Sequence, residues 1–476
     1  METEFEHFDL VENKPVSNFG EQPKLKIAMF TDVFLDVPGG IPSSIMAQHD
    51  ALTEQGHMVK VFAPGSEASI EKMPESIRPD IVLVPTNKSI KMNDAPLAKR
   101  PRLIKKAVLK QFPGFNAQFD LIHVHYEGAC SIAGVQLARH FDLPLVQTMH
   151  GREDMAIAVN VPHPAKTIVA CALNALHRRC LSKYLGRAYS NHEQKYRGGV
   201  TEEKLNVRTD RVIRLNEIQE TKIHRDKYLA PTVARAKMWT LMVRQANCAD
   251  VVITPSQHFA DKLKHYGVKR ALIPVSNGVD DHIAEMFNWQ IRELKDGEPV
   301  KIAWYSRLSR EKRVMEFLEA LKIVADRGGK FQLLMMGDGN QLELAKKYVA
   351  VNGFADSVTF LGAVPHDQVL EKLQDQHLSI INSYGFDTQG LTILEAAVTG
   401  VPVIYCDPDM DQVVLPGGGM RAKDYSPESM AEVILNILQY PESIREMSDA
   451  QMRQRHQNLQ STQIKKLLEV YNSVIA

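Results

Sequence analysis

The sequence predicts an α/β protein with two Rossmann-like domains that face each other across a cleft. At 476 residues the chain is longer than one typical domain. Short apolar runs alternate with helical patterns, which is typical of parallel sheets covered by helices on both faces. This alternation is interrupted after about residue 155 and again near residue 290. Two successive sheets are therefore the simplest arrangement.

The first predicted domain covers residues 24–288 and follows a polar segment over residues 1–23. Its first strand is expected at 27–30, and the next helix, at 42–55, ends at Gly56, a residue type that commonly terminates helices. Further strands are expected at 59–62, 121–125, 145–148 and 251–254, with a helix at 131–140. Ligands of such sheets bind at the carboxyl ends of the strands.

Residues 155–247 lack strand signals and are interpreted as a basic, helical insertion in the first domain. Within it, residues 161–245 hold seventeen Lys and Arg against seven Asp and Glu. Residues 88–110 hold eight Lys and Arg against a single Asp, although the whole chain is formally neutral. This local excess predicts a basic face that meets an anionic partner. Solvated helix faces are the alternative.

The second predicted domain covers residues 299–460 and follows a polar link at 289–299. Strands are expected at 301–305, 332–336, 357–361, 378–382 and 403–405, and helices at 311–326 and 391–398. A last helix, within residues 461–476, is expected to pack back on the first domain.

Composition excludes several classes of protein. The five cysteines are scattered and form no Cys-x-x-Cys pair, which favours a reducing compartment and no metal site. No apolar run reaches the roughly 18 residues of a spanning helix. The acidic N-terminus does not have the pattern of a signal peptide. These features predict a cytoplasmic protein.

The most informative motif is residues 383–396, where a strand, a Gly-flanked turn and a helix follow one another. Helix N-termini bind anions through unpaired N–H groups, so the amides of residues 388–391 can hold a diphosphate or a sugar hydroxyl. Asp387 and Glu395 flank that turn, and their carboxylates can accept hydrogen bonds from sugar hydroxyls. An ordinary helix with an Asp near its N-cap is the alternative.

Three further motifs each follow a predicted strand. Arg307 and Lys312 could neutralise a diphosphate, although a solvated helix start is the alternative. Gly39 and Gly40 would let the backbone approach a ligand, but their spacing matches neither a dinucleotide fingerprint nor a phosphate-binding lysine loop, and a plain turn is the alternative. His150 would face the cleft, unless it is a structural histidine.

In this order, the four motifs resemble the glycosyl transferases of group 1, retaining enzymes of the GT-B fold related to glycogen synthase. The resemblance runs from Lys26 onward. It includes Ser-Asn-Gly-Val-Asp at 276–280, Met-Gly-Asp-Gly at 336–339 and Phe-Leu-Gly at 360–362.

The resemblance implies a role for each motif. A catalytic group would comprise His150, which contacts the transferred sugar, Arg307 and Lys312, which neutralise the diphosphate, and Asp387, which binds the sugar. Donor binding would also involve Gly39 and Gly40 at the diphosphate and acceptor, the backbone at Leu361 for the base, Glu395 for the ribose hydroxyls, and Thr388, Gln389, Gly390 and Leu391 for the sugar. The donor would be a UDP-hexose, and no cofactor or metal would be required.

The sequence departs from the family at Asp387, where the motif normally has Glu. This change could alter donor choice, shift the loop or abolish activity. The basic segments and Phe-Thr-Asp-Val-Phe at 30–34 resemble the branch that glycosylates diacylglycerol at membrane surfaces. That branch implies glucose transfer to a lipid, an anionic membrane surface as partner, no nucleic acid, and a position at the inner face of the cell membrane. Acceptor or membrane contacts would come from Asp32, Lys105, Lys106, Arg178 and Arg179.

The basic segment at 166–187 has the pattern of an amphipathic helix that could lie in a headgroup layer. Its apolar stripe comprises Val169, Leu173, Leu176, Cys180 and Tyr184. In the alternative, this stripe packs into the core of the first domain and leaves the cations solvated.

Several functions remain open on the sequence alone. The acceptor could be a cell-wall or polysaccharide chain instead of a lipid. The protein could also be a non-catalytic glycosyltransferase-like subunit, or an epimerase or phosphorylase with the same architecture. No protein nucleophile is evident, so a front-face displacement fits a transferase best. Asp407, Asp409 and Asp411 are interpreted as loop acids and not as metal ligands.

Overall fold

The computed structural model describes residues 23–36, 39–92, 95–162, 165–187, 189, 200–209, 211–212, 230, 232–286 and 289–475. The predicted N-terminal segment lies outside these residues except for residue 23, and so do residues 37–38. Of the predicted insertion, residues 163–164, 188, 190–199, 210, 213–229 and 231 lie outside them. The strands are β1 (Lys26–Phe30), β2 (Met58–Ala63), β3 (Ile81–Leu83), β4 (Thr86–Met92), β5 (Ala95–Ala98), β6 (Leu121–Val124), β7 (Leu145–Thr148), β8 (Val251–Thr254), β9 (Ala271–Pro274), β10 (Val300–Tyr305), β11 (Phe331–Met336), β12 (Val358–Gly362), β13 (Leu378–Ile381), β14 (Val403–Tyr405) and β15 (Gly419–Arg421).

The helices surround two sheets. They are α1 (Gly40–Glu54), α2 (Glu67–Ile70), α3 (Pro101–Gln111), α4 (Phe115–Gln118), α5 (Ala129–Phe141), α6 (Glu153–Asn160), α7 (Ala165–Leu181), α8 (Val233–Ala246), α9 (Gln257–Tyr266), α10 (Asp281–Met286), α11 (Val314–Asp326), α12 (Leu342–Val351), α13 (His366–Leu373), α14 (Leu391–Thr399), α15 (Pro427–Gln439), α16 (Glu442–Gln454) and α17 (Gln460–Ile475).

Both main sheets are parallel throughout the described residues. The first has the strand order β3-β2-β1-β6-β7-β8-β9, and the second has the order β12-β11-β10-β13-β14-β15. The predicted class, two Rossmann-like domains, is confirmed. In each sheet the order reverses beside the first strand of the series, β1 or β10. Ligands of open parallel sheets bind at the carboxyl ends of strands at such a reversal.

The edge strands β3, β9 and β15 and the antiparallel pair β4–β5 were not predicted. The predicted helix at 311–326 is also divided. A 3₁₀ turn over Arg310–Lys312 precedes α11, and between them Arg313 has a φ of 58°. The buried Arg313 donates to the carbonyl of Tyr425 (2.7 Å), and its own carbonyl accepts from Asn382 (2.8 Å). These contacts compensate the left-handed backbone.

The region between β7 and β8 contributes core as well as surface. Helix α8 is buried along almost its whole length, including the side chains of Trp239 and Arg235. Arg235 and Arg152 both bind the buried carboxylate of Asp154, at 2.8 Å each. Because buried charges must be paired, this three-residue group fixes α6 against α8.

The last helix returns to the first sheet. Tyr471 of α17 lies 2.7 Å from the ring of buried His123 in β6, and His123 reaches the hydroxyl of Thr148 at 2.7 Å. Where the chain crosses from the second domain, Gly278 lies against the backbone of Gln460, and a Cβ at Gly278 would come within 2.4 Å of the Gln460 Cα atom. Glycine is thus required sterically in the Ser-Asn-Gly-Val-Asp segment.

Candidate active site

A pair of opposite charges joins the loop before α11 to the turn between β13 and α14. Lys312 Nζ lies 2.7 Å from the carboxylate of Asp387, which also accepts a hydrogen bond from Ser383. Burial favours the neutral acid, but the Lys312 ammonium outweighs it and lowers the pKa of Asp387. The carboxylate is therefore ionised at neutral pH and positions the lysine at the carboxyl end of the second sheet.

Glu395 lies one turn inside α14 and is 8% exposed. Its Oε1 atom is 2.7 Å from His366 Nε2 at the start of α13, a contact that raises the pKa of the histidine. Arg307 is different, since its side chain is 64% exposed and reaches Glu311 at 3.2 Å. Leu361 is partly exposed at the end of β12. Lys312, Asp387 and Glu395 thus each have a protein partner, whereas the side chain of Arg307 is mostly in contact with solvent.

Two glycines fix the strand ends beneath this site. A Cβ at Gly337 would lie 2.1 Å from the carbonyl oxygen of Ser306, and one at Gly339 would lie 2.3 Å from that of Leu308. Both glycines also have positive φ values, 142° and 156°. The Met-Gly-Asp-Gly segment therefore lets the loop after β11 approach the loop that carries Arg307.

The turn between β13 and α14, called the donor-side turn after the role that the resemblance implies, contacts the first domain directly. Thr388 donates to the carbonyl of His150 at 2.6 Å, and its own carbonyl accepts from Ser256 at 2.5 Å. A Cβ at Gly40 would lie 3.4 Å from the side chain of Leu391. The predicted residues Gly40, His150, Thr388 and Leu391 thus come together across the cleft. Gly39, adjacent to them, is exposed and extended.

Gln389 joins the same contact from the side. Its Oε1 atom accepts from the backbone and side-chain amides of Asn277 at 3.0 and 2.9 Å, and its Nε2 atom donates to Ser276 at 2.6 Å. Asn277 in turn accepts from Ser44 on α1 at 2.7 Å. The Gln389 side chain is thus a structural link between the domains, and its backbone remains the part that could bind a donor. Gly390 has a φ of 77° and begins the turn into α14.

Three histidines lie in a row on the first-domain side. The rings of His123 and His125 are 3.9 Å apart, and His125 Nδ1 is 3.1 Å from His150 Nε2. Burial lowers the pKa of His150 to about 4 and that of His123 to about 3. These side chains are neutral at physiological pH, so His150 can exchange hydrogen bonds with a sugar but contributes no positive charge.

Sequence reasoning missed several polar residues beside His150. Arg152 spans the cleft, donating to the carbonyl of Gly385 at 3.2 Å. Glu127 and Glu153 are acids close to the ends of β6 and β7, and Tyr126 donates to Glu153 at 3.0 Å. Burial raises the pKa of Glu153 to about 7. Arg152 and Glu153 follow His150 in the same segment after β7, in which only the histidine was assigned a role. Glu127 could have been indicated only by its position after β6.

The loop acids Asp407 and Asp409 support the donor-side turn. Asp407 accepts from the amide of Gly385 at 2.7 Å and from that of Asp409 at 3.0 Å. Asp409 pairs with Lys262 of α9 in the first domain, and Asp411 pairs with Arg421 at 2.9 Å. Among the described residues, no three His, Cys, Asp or Glu side chains are grouped to hold a metal ion.

Two different family models match the two halves of the chain. The family model "Glycosyl transferases group 1" matches residues 286–454, and "Glycosyltransferase Family 4" matches residues 38–188. The two matches fall on the two sheets in the order expected for one enzyme. The chain is a glycosyltransferase, and the group 1 model accounts for its second domain.

Individual relatives and solved structures agree with this assignment. The chain is similar to two proteins named alpha-monoglucosyldiacylglycerol synthase. The one from Streptococcus pneumoniae is 24% identical over 80% of this chain and 70% of that protein. The one from Acholeplasma laidlawii is 22% identical over 89% of this chain and 91% of that protein. A glycosyltransferase of Rickettsia africae superposes with a TM-score of 0.61 at 14% identity, covering 95% of this chain and 99% of that one. Anabaena HepE, solved with UDP-glucose, has a TM-score of 0.60 at 14% identity, covering 94% and 100%. The fold of this glycosyltransferase is GT-B.

The expected acceptor and membrane residues of the glycosyltransferase fall in two groups. The carboxylate of Asp32 accepts hydrogen bonds from the backbone amides of Gly128, Cys130 and Ser131 at 2.6–3.0 Å. It therefore caps the N-terminus of α5. Asp32 thus has a structural role in this fold, and no described contact favours its expected role in binding the acceptor substrate. Lys105, in contrast, has a lowered pKa, because it is partly buried and because the nearby Lys183 repels its charge. The basic residues of α3 and of the end of α7 thus share one surface.

Helix α7 exposes an apolar face on this surface. Ile168 is 71% exposed, and Val169, Leu173 and Leu176 are between 37% and 41% exposed. The side chains of Arg178 and Arg179 are exposed as well. The predicted stripe therefore divides, because Cys180 is half-buried and Tyr184 is in the core while the first three members face outward. In the described part of the chain, no helix is long and apolar enough to span a membrane.

Proposed function

We propose that this glycosyltransferase moves glucose from UDP-glucose to diacylglycerol, with retention of configuration, at the inner face of the cell membrane. The observation that carries the proposal is the hydrogen bond from Thr388 to the carbonyl of His150. It brings the donor-side turn within reach of the histidine that would contact the transferred sugar. Both alpha-monoglucosyldiacylglycerol synthases and the UDP-glucose complex of HepE support this choice of donor and acceptor.

Within the proposal the two domains have separate tasks. Residues 24–288, with the last helix at 461–476, bind the acceptor, and residues 299–460 bind the nucleotide sugar. Glu395 accepts hydrogen bonds from the ribose hydroxyls, and the backbone at Leu361 contacts the base. Asp387, with the amides from Thr388 to Leu391, holds the hexose, while Gly39 and Gly40 leave room for the diphosphate and the acceptor.

The proposed reaction is a front-face displacement. Lys312 and Arg307 stabilise the charge that develops on the leaving diphosphate, so no metal is required for this purpose. The acceptor hydroxyl bonds to the anomeric carbon on the face from which the diphosphate departs, and its proton passes to a diphosphate oxygen. The protein mainly positions the reactants, and His150 orients the sugar as a neutral ring.

The exposed face of α7 supports the membrane part of the proposal. Ile168, Val169, Leu173 and Leu176 would enter the headgroup layer, flanked by Arg178 and Arg179. Lys105 and Lys106 on α3 extend the basic surface towards anionic lipid. Each cation near such a surface contributes about 1 kcal/mol, so a few suffice for reversible binding.

The direct test incubates the purified protein with UDP-glucose and dioleoylglycerol in micelles that contain phosphatidylserine. We expect UDP release that depends on dioleoylglycerol, and an α-linked glucosyl lipid by NMR of the anomeric proton. A β-linked product would contradict retention. UDP release that requires a glucan instead of lipid would indicate a polysaccharide acceptor. No UDP release with any donor or acceptor would favour a non-catalytic subunit, the alternative that Asp387 leaves open.

A further inference from the structure

The loop after β6 and the start of α6 bring together two glutamates that the donor chemistry does not use. Glu127 is 6% exposed, and its Oε1 atom is buried without a hydrogen-bond partner among the described residues. Glu153 is half-buried, and Tyr126 donates to its Oε2 atom at 3.0 Å. A buried polar atom without a partner is costly, and such an atom at a ligand site indicates a group that the ligand supplies or a proton held in place.

The two acids lie on the acceptor side of the cleft. Two neighbours of Glu153 in the sequence contact the second domain. Arg152 donates to the carbonyl of Gly385, and Met155 packs against Tyr384 and Phe386. The Oε1 atom of Glu153 lies beside Gly151, where a Cβ would still be 3.8 Å away. Glycine thus leaves space over the carboxylate next to His150.

The electrostatics of this corner disfavour anions. Burial, followed by repulsion from Glu153 and Asp32, raises the pKa of Glu127 well above its usual range, which favours the protonated acid. Arg152, next to Glu153 in sequence, and Arg235 of α8 are both bound by Asp154. His150 is neutral. A ligand phosphate would face carboxyl groups with no cation committed to it, whereas a neutral hydroxyl could donate to Glu153.

We propose that Glu153 binds the hydroxyl of an uncharged lipid acceptor such as diacylglycerol, that Glu127 beneath it acts as a positioning residue, and that this carboxyl pair excludes lipids with a phosphate in the headgroup. The inference rests on the proposed lipid-hydroxyl transfer and names its acceptor class. Glu153 accepts a hydrogen bond from the hydroxyl, and the proton still leaves with the diphosphate, so no further reactant is needed.

The test compares two acceptors in micelles of constant phosphatidylserine content, namely dioleoylglycerol and phosphatidylinositol. The wild type should use dioleoylglycerol with a kcat/KM at least about tenfold higher, since a buried hydrogen-bonding site discriminates strongly. E153Q should raise the acceptor KM about tenfold and leave the donor KM unchanged. E127Q should raise the acceptor KM to a smaller extent. The matched control is E67Q, an exposed glutamate of the same domain, and melting curves check that each variant is folded.

Should E127Q fail to fold, Y126F provides a second variant, because it removes the phenol that holds Glu153 and should also raise only the acceptor KM. An unchanged acceptor KM in E153Q, or equal use of phosphatidylinositol, would overturn this inference and leave the glucosyltransferase proposal intact. A wild type that releases UDP but glycosylates neither lipid would overturn both.

Discussion

The two sides of the cleft hold their polar groups in opposite ways. On the second domain, Lys312 and Asp387 are ionised and paired, and Glu395 has His366 as a partner. On the first domain, His125, His150 and Glu127 are buried, and burial shifts the pKa of each towards its uncharged form. In the proposed reaction, the ion pair would face the charged diphosphate of the donor, and the buried groups of the first domain would face an uncharged acceptor.

The largest effect is expected at the cations of the donor side. Lys312→Ala and Arg307→Ala should each lower kcat by about 100-fold or more, because the developing diphosphate charge loses a fixed partner. Steady-state UDP release measures this effect, and the control is Lys322→Ala, a lysine on α11 that pairs with Asp326. Rates close to wild type for both variants would show that the loop is not part of the donor site.

Asp387 tests whether the donor side depends on a carboxylate or only on polarity. Asp387→Asn should lower kcat by roughly 10- to 100-fold, since Lys312 loses its ionic partner and the sugar a charged acceptor of hydrogen bonds. Asp387→Glu, which restores the residue usual in the family, should remain active or change donor preference. Competition between UDP-glucose and UDP-galactose measures that preference. Full activity of Asp387→Asn would make the carboxylate structural.

Glu395 should affect binding more than chemistry. Glu395→Ala should weaken UDP binding by about tenfold, the typical loss for a hydrogen bond to a charged group, and raise the donor KM in parallel. Calorimetric titration with UDP measures the affinity. His366→Gln is the companion variant, because it removes the partner of Glu395 and leaves the carboxylate in place. If Glu395→Ala binds UDP normally, the ribose assignment is wrong.

The smallest effect is expected at the membrane surface, far from the chemistry. Replacing Lys105, Lys106, Arg178 and Arg179 by Ser should reduce co-sedimentation with anionic vesicles several-fold, and wild-type binding should weaken between about 50 and 500 mM salt. Turnover of a water-soluble acceptor should not change. Ile168→Ser tests the apolar part of the same surface. Wild-type protein that ignores anionic vesicles at low salt would contradict the membrane proposal.

The two sides of the cleft also differ in how many of their site residues could be predicted from the sequence. Short motifs next to periodic strands contain Arg307 and Lys312 after β10 and Asp387 and Glu395 after β13, so local signals were enough to select these residues. The contact between Lys312 and Asp387 was not predicted, because it joins two different loops. Glu127 and Glu153 are separated by a strand and a helix, and only the parallel pairing of β6 and β7 makes them neighbours. The division of α7 into exposed and buried parts likewise depends on α8, whose burial is a tertiary property. The left-handed Arg313 was also beyond sequence periodicity, because contacts with Tyr425 and Asn382 determine it.

The return of α17 to the first sheet has a consequence for biosynthesis. Ile464, Leu467 and Tyr471 fill the same apolar cluster as β1 and β2, yet the ribosome makes them after the entire second domain. During translation, the apolar cluster of the first domain therefore remains partly exposed until α17 has been made, and so does the ring of His123 that contacts Tyr471. Domains of large proteins commonly fold one after another as they emerge. Here the first domain can finish only together with the second, so a nascent chain that stalls before α17 would expose apolar surface and be a target for chaperones.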